Sequence, residues 1–308
     1  MATLREIRRR VNSVKKIREI TAAMKTVSAI EVRNAEAALI KMRPYASSLA
    51  EIIARLSYCE GPQGHPLLAD RGDRKALLVV VTSDRGLCGP FNANIIRQAV
   101  RYQEEHRSKY GAYADMVCVG KKGYDYFRKR GYHILEQHIG FFKGIKYDSA
   151  RAIGQTAMKW FLDLDVDRVD FLYHHFFSAG RQTVATRAVL PMRLCDIAPA
   201  EEYAPGARDS GGPVPTASEG PGVTEYIYEP GREVILDEVL PLYVNVQVWR
   251  ILQESVSSEH GARMLAMEAA TDNCDDMLRD LQLLYNKARQ AAITKELMEI
   301  VAAAEALK

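Results

Sequence analysis

Few stretches of this 308-residue chain have residue types that could do chemistry, and each has a spacing that can be tested against what the chemistry needs. TSDRGLCGPFN, Thr82 to Asn92, follows the apolar run ALLVVV and precedes a helical pattern, which is where phosphate-cradling loops lie. Gly86 and Gly89 make neither GxGxxG nor GxxxxGK[ST], so the glycines are read as permitting a tight turn, with Pro90 suited to a first helical turn. His174 and His175 are adjacent in an apolar strand and point to opposite sheet faces, so they cannot easily ligate one metal. Asp275 and Asp276 lie on a helix flank beside Arg279 and read as a solvated face. The five cysteines, Cys59, Cys88, Cys118, Cys195 and Cys274, show no CxxC or His-paired spacing and read as reduced structural thiols. No nucleophile, base and acid can be assembled from spacing. The expectation is a chain with no catalytic residue, cofactor or metal of its own.

The elements that carry these residues fall into three zones. Leu4 to about Ser57 is helical, with no glycine and with Pro44 as its only breaker; Thr3 and Glu6 have the spacing of a capping box. Leu4, Ile7, Val11 and Val14 follow a coiled-coil seam that is expected to continue on a shifted row through Ile17, Ile20, Met24 and Val27. The middle alternates strands and helices: ALLVVV, ADMVCV, VDFLYHHFF and TVATRAVLPM read as strands, and TEYIYEP as a short one. Ala198 to Gly222 is rich in Pro, Gly and Ser and reads as a mobile loop. From Arg232 the chain is helical to its end, with an adjustment expected near Pro241. Its seam is read as Ala270, Cys274, Met277, Leu281, Leu284, Ala288, Ala291, Lys295, Met298 and Ala302.

The domain boundaries that follow are 1–58 for an N-terminal coiled-coil helix, 74–230 for a central α/β domain and 231–308 for a C-terminal coiled-coil helix. About fifty helical residues make a rod of roughly 75 Å. If both rods leave a compact domain close together, they can pair antiparallel.

The composition, 47% hydrophobic and 26% charged, is that of a globular chain, and the net charge of +3 gives no global sign of a nucleic-acid protein. Locally, Arg5, Arg8, Arg9, Arg10, Lys15, Lys16 and Arg18 face only Glu6 and Glu19, which suits an acidic partner. No aromatic residue interleaves them before Pro44, so nucleic acid is not favoured. No apolar run is long enough to span a bilayer. The end of the chain, ITKELMEIVAAAEALK, is apolar nearly all round, and a helix apolar on every side is buried on every side.

REIRRRVNSVKKIREITAAMKTVSA, TSDRGLCGPFNANI and EHGARMLAMEAATDNCDDMLRDLQLLYNKARQAAITKELMEIV closely resemble the gamma subunits of F-type ATP synthases. The likeness extends over essentially the whole chain and is most specific at its ends. It implies a fold in which the terminal helices form a long antiparallel coiled coil and the middle a Rossmann-like α/β domain. It implies a central rotor shaft that couples rotation of a membrane c-ring to conformational cycling of catalytic beta subunits. The implied partners are three alpha and three beta subunits, the epsilon subunit and the c-ring, on the cytoplasmic face of a bacterial inner membrane, with the active sites in other chains.

By the same resemblance, Met24 and Lys25 match neck residues that face an acidic lever of the beta subunits. Arg289, Gln290, Thr294 and Glu296 match a patch that meets a beta-subunit loop. Tyr226 and Glu229 lie in a segment similar to one that contacts the c-ring. Ala302, Ala303 and Ala304 stand where the family often has Gly-Ala, which favours continued helix. The regulatory dithiol of chloroplast forms has no counterpart, so thiol control is not expected. Two other classes fit the elements alone: an α/β nucleotide-binding enzyme with a helical oligomerisation hairpin, and a coiled-coil tether.

Overall fold

The computed structural model describes residues 3–58, 65–140, 145–163, 165–193, 229 and 231–306. Two long helices frame it in sequence, α1 (Leu4–Tyr58) and α5 (Arg232–Ala306). Between them run β1 (Ala76–Val81), α2 (Phe91–Tyr110), β2 (Asp115–Val119), α3 (Lys121–Lys129), β3 (Ile134–His138), α4 (Tyr147–Leu162), β4 (Arg168–Ser178) and β5 (Arg181–Leu190). The chain divides into two compact units, Met1–Ala29 with Arg263–Lys308, and Ile30–Ala262.

In the larger unit the strands form one sheet in the order β3-β2-β1-β4-β5. β1 pairs parallel with β2 and β4, and only β5 runs antiparallel, beside β4. ALLVVV is buried at every position because β1 is central and both its faces are covered, the condition that produces continuous rather than alternating apolar strands. Leu78 and Val80 join Met116, Cys118 and Leu172 under Ile95 and Ala99 of α2 and Phe127 of α3. Leu77, Val79 and Val81 point the other way, to Ile153 and Phe161 of α4, Ile53 of α1 and Val244 of α5. The short strand β3 was not foreseen. Its Glu136 and Gln137 are exposed at the sheet edge, so its sequence carries little apolar signal.

The smaller unit contains the beginning of α1 and the end of α5. Thr3 caps α1 as its spacing predicts: its Oγ1 accepts from the Glu6 amide at 3.4 Å and its own amide donates to the Glu6 carboxylate at 2.9 Å. The pairing of the two helices is antiparallel, since Arg18 meets Asp275, Thr21 meets Thr271 and Lys25 meets Glu268.

The seam departs from its expected course on both helices. On α1 the inward positions are Leu4, Ile7, Val11, Val14, Arg18, Thr21, Lys25 and Ser28, an unbroken heptad that keeps its phase by admitting polar residues. Ile17, Ile20 and Val27 are instead 51–59% exposed, on a flank. On α5 the inward row is Met267, Thr271, Cys274, Leu278, Leu281, Tyr285, Ala288 and Ala292. Cys274, Leu281 and Ala288 are shared with the expected row, but Met277 and Leu284 are about half exposed. Apolar content drew the expected rows; the polar pairs set the real phase.

α5 runs helical through Pro241 and through the alanines from Ala302 to its end at Ala306. The loop from Ala198 to Gly222, the segment TEYIYEP apart from Glu229, Cys59 and Cys195 lie outside the described residues.

Candidate functional site

The smaller unit presents two chemically different surfaces, and the seam explains both. In its polar stretch the Arg18 Nε donates to Asp275 at 2.5 Å, the Lys25 Nζ donates to Glu268 at 2.6 Å, and the Thr271 hydroxyl donates to that of Thr21 at 2.8 Å. The Asp275 and Glu268 carboxylates hold the Arg18 and Lys25 cations above their ordinary pKa, by hydrogen bond first and charge second. Asp275 therefore takes part in the helix pairing while its side chain stays 39% exposed, and Asp276 pairs with Arg279 at 3.2 Å along its own helix. These interhelical partners were missed from sequence, although the heptad steps from Val14 to Arg18, Thr21, Lys25 and Ser28 carry the signal.

Pairing Arg18 with Asp275 fixes the facing residues along the rest of the seam. Leu4 then lies near Arg289, and α5 beyond about Gln290 has no residue of α1 left to face. At that point the seam row changes character: the next positions after Ala292 are Lys295 and Glu299, an ion pair on their own helix at 3.6 Å. The apolar residues leave the row. Ile293, Leu297, Ile300 and Val301 sit about 100° or more around the helix from it, at roughly 100° per residue. Each is 45–65% exposed, as is Met298. The bareness of this tip is thus not an unfinished coiled coil. Its apolar surface points away from the line along which α1 would lie.

The residues singled out from sequence fall on these surfaces. Lys25 sits in the polar stretch with Met24 beside it, both half-buried. Arg289, Gln290, Thr294 and Glu296 are exposed on the tip, where the Thr294 hydroxyl donates to the Gln290 carbonyl at 3.0 Å. By helical phase Arg289 and Glu296 share one edge of the apolar face and Gln290 and Thr294 lie across it. Glu229 is exposed, and Tyr226 lies outside the described residues. The basic residues Arg5, Arg8, Arg9, Arg10, Lys15 and Lys16 are all exposed, and Arg18 alone of that group is tied to α5.

In the larger unit, TSDRGLCGPFN is a structural turn. The Thr82 hydroxyl accepts from the Gly123 amide at 2.8 Å and the Ser83 amide donates to Asn92 at 3.0 Å, so the start of the stretch is tied to α3 and to its own end. Gly120 stands at φ +94, where a Cβ would lie 1.9 Å from the Thr82 carbonyl oxygen, so only glycine fits. Phe91 stacks on His174 at 4.2 Å, and His174 Nε2 bonds the Phe91 carbonyl at 3.0 Å. His175, on the opposite face, bonds Glu254 of α5 at 2.5 Å. Among the described residues, no group of three or more His, Cys, Asp or Glu could hold a metal ion, and no helix is long and apolar enough to cross a membrane.

Comparison with known proteins agrees with this geometry. Residues 3–307 match the sequence family described as ATP synthase. The ATP synthase gamma chain of Chlorobaculum parvum is 42% identical over the full length of both chains, and that of Geotalea uraniireducens 41%, again over both full lengths. Among solved structures, a chain of the Euglena gracilis mitochondrial ATP synthase with OSCP, F1 and c-ring superposes with a TM-score of 0.63 at 20% identity, covering 99% of this chain and 94% of its own. A chain of the Tetrahymena thermophila mitochondrial ATP synthase central stalk and c-ring gives 0.58 at 23% identity, covering 82% and 99%. With two long pairing helices, a five-stranded mixed sheet between them in sequence, and close relatives matched from end to end, the chain belongs to the ATP synthase gamma-chain family.

Proposed function

We propose that this chain is the central rotor shaft of a proton-translocating F-type ATP synthase. The observation that carries the reading is the α5 tip, whose apolar residues turn away from the α1 seam just where the seam positions become Lys295 and Glu299. Such a surface suits a sleeve made by other chains, here three alpha and three beta subunits. Apolar contact has no fixed directional bonds, so a shaft can turn within it at little cost.

In this reading the chain has no catalytic residue; ATP is made on the beta subunits. As the c-ring turns, the shaft presents different faces to each beta subunit, and differential contact with their open and closed states supplies the coupling. Met24 and Lys25 meet an acidic lever of the beta subunits, and Arg289, Gln290, Thr294 and Glu296 meet a beta-subunit loop. Tyr226 and Glu229 face the c-ring, the epsilon subunit joins the same stalk, and the complex sits on the cytoplasmic face of a bacterial inner membrane.

The test is Arg289→Ala with Gln290→Ala in a complex reconstituted in vesicles. ATP-driven proton pumping and ATP turnover should both fall, while the isolated chain hydrolyses nothing. Unchanged coupling would remove these two residues from the contact, and a chain that does not co-assemble with alpha and beta subunits would remove the reading itself.

A further inference from the structure

Apolar contact lets a shaft turn in a sleeve, and the same argument creates a difficulty at the other end of α5. A helix that transmits torque must not spin within the unit that drives it. α5 is buried on nearly every side from Val244 to Arg263, yet much of that surface is polar: Asn245, Gln247, Arg250, Gln253, Glu254, Ser255, Ser257 and Ser258 are all buried. Polar groups in that setting cost desolvation and are retained where they specify geometry.

One stripe of α5 meets strand β4 through such groups. Glu254, Ser258 and Gly261 recur at helical spacing on the same face. His175 of β4 bonds the Glu254 carboxylate at 2.5 Å, and the Ser258 hydroxyl donates to the His174 carbonyl at 3.4 Å. At Gly261 the helix comes so close to the end of β4 that a Cβ would lie 3.0 Å from the Ala179 carbonyl oxygen. Arg250, one turn before Glu254, donates to its other carboxylate oxygen at 2.8 Å and fixes its rotamer. Burial pushes the Glu254 carboxyl upward, but the His175 bond and the Arg250 charge outweigh it and hold the group below the usual carboxylate range.

We infer that His175, Glu254 and Arg250 form a rotational key that locks α5 to the sheet. The inference rests on the rotor reading above. His175 and Glu254 are positioning residues: they act by fixing the angle of α5 about its own axis. A hydrogen bond stays within about 0.5 Å of its optimum, and on a helix whose side chains reach roughly 5–6 Å from the axis that window is about 5° of rotation. The surrounding apolar contacts set no comparably narrow angle, because dispersion varies gently with small sliding displacements.

The test is the assembled complex with a rotation probe fixed to an exposed site of the larger unit, Lys129→Cys. One variant replaces the three charged and titratable side chains by apolar ones, His175→Phe with Arg250→Met and Glu254→Leu, so that neither half of the Arg250–Glu254 pair is left facing an empty partner. The second carries His175→Phe alone. The key predicts that, in both, ATP hydrolysis stays at the wild-type rate and the angular variance of the probe within a catalytic dwell rises at least about twofold, because the apolar contacts that remain set a wider angle than the bond that is lost. It also predicts that Glu254→Asp alone, which keeps a carboxylate facing His175, loses less stiffness than either variant. A wild-type variance in either folded variant would overturn the key. If the wild-type probe shows no ATP-driven rotation at all, the rotor reading fails instead, and the two failures are distinguishable.

Discussion

Ile7 and Ile17 are both isoleucines on α1, ten residues apart and within the same unit, and the phase of the seam gives them opposite fates. Ile7 is 2% exposed and Ile17 51%. Ile7→Ala removes buried methyl groups from a two-stranded seam that can partly collapse, so the cost belongs at the lower end of the range for such truncations, about 2.5 kcal/mol. Ile17→Ala removes little buried surface and gains helix propensity, leaving a change within about 0.5 kcal/mol. Because the two units need not unfold together, the assay is amide hydrogen exchange of the α1 segment before Ala29 rather than a global melt. Ile7→Ala should accelerate exchange by opening roughly 60-fold, and Ile17→Ala no more than about twofold. Equal acceleration by both would refute the polar heptad and restore the shifted row. In the assembled complex Ile17→Ala should become the more informative variant, because its flank is free to meet another chain.

Leu297→Ser with Ile300→Ser should leave the isolated chain as stable as wild type, since both side chains are already largely in water, yet weaken capture by alpha and beta subunits by about 3 kcal/mol or more; a reconstitution titration that shows no loss would mean the tip is not sheathed. Gly120→Ala cannot be accommodated without moving Thr82, so the larger unit should lose about 3 kcal/mol or more, read as a lower denaturant midpoint. Burial pushes the Cys118 thiol up to about 12, so alkylation near pH 8 followed by peptide mapping should label the half-buried Cys274 and spare Cys118 until the larger unit unfolds. Burial also lowers the His138 and His174 pKa values, which favours their neutral forms in the fold. Their contribution is therefore intact above about pH 6.5 and is lost as pH falls below that unfolded value. Denaturation midpoints at pH 7.5 and 5.5 should show the drop, and His138→Gln with His174→Gln should reduce it.

Much of the architecture was legible because it rests on long apolar patterns. ALLVVV could only be a strand covered on both faces, and the capping box at Thr3 and Glu6 marked the start of α1. The phase of the seam was less legible, because Arg18, Thr21 and Lys25 look like surface residues until Asp275, Thr271 and Glu268 are found opposite them. The partner of Asp275 was hidden for the same reason: a solvated carboxylate gives no sign that its cation is on a distant segment. The His175 bond to Glu254 joins residues 79 positions apart, a separation across which one sequence offers no pairing signal. β3 escaped because an edge strand with a polar outer half has little periodicity to detect. The tip residues Arg289, Gln290, Thr294 and Glu296 were placed by resemblance, and the fold adds the reason that surface is available.

The ion pair of Lys295 with Glu299 has a consequence for assembly. A ribbon of apolar seam continuing past the start of α1 would be adhesive toward any similar ribbon, and two newly made copies could zip together tip to tip. Charge along that line removes one such ribbon and leaves the apolar flank as the surface of the tip that another chain would cover. The order of side chains on one helical turn thus confines the adhesive surface of the tip to a single flank.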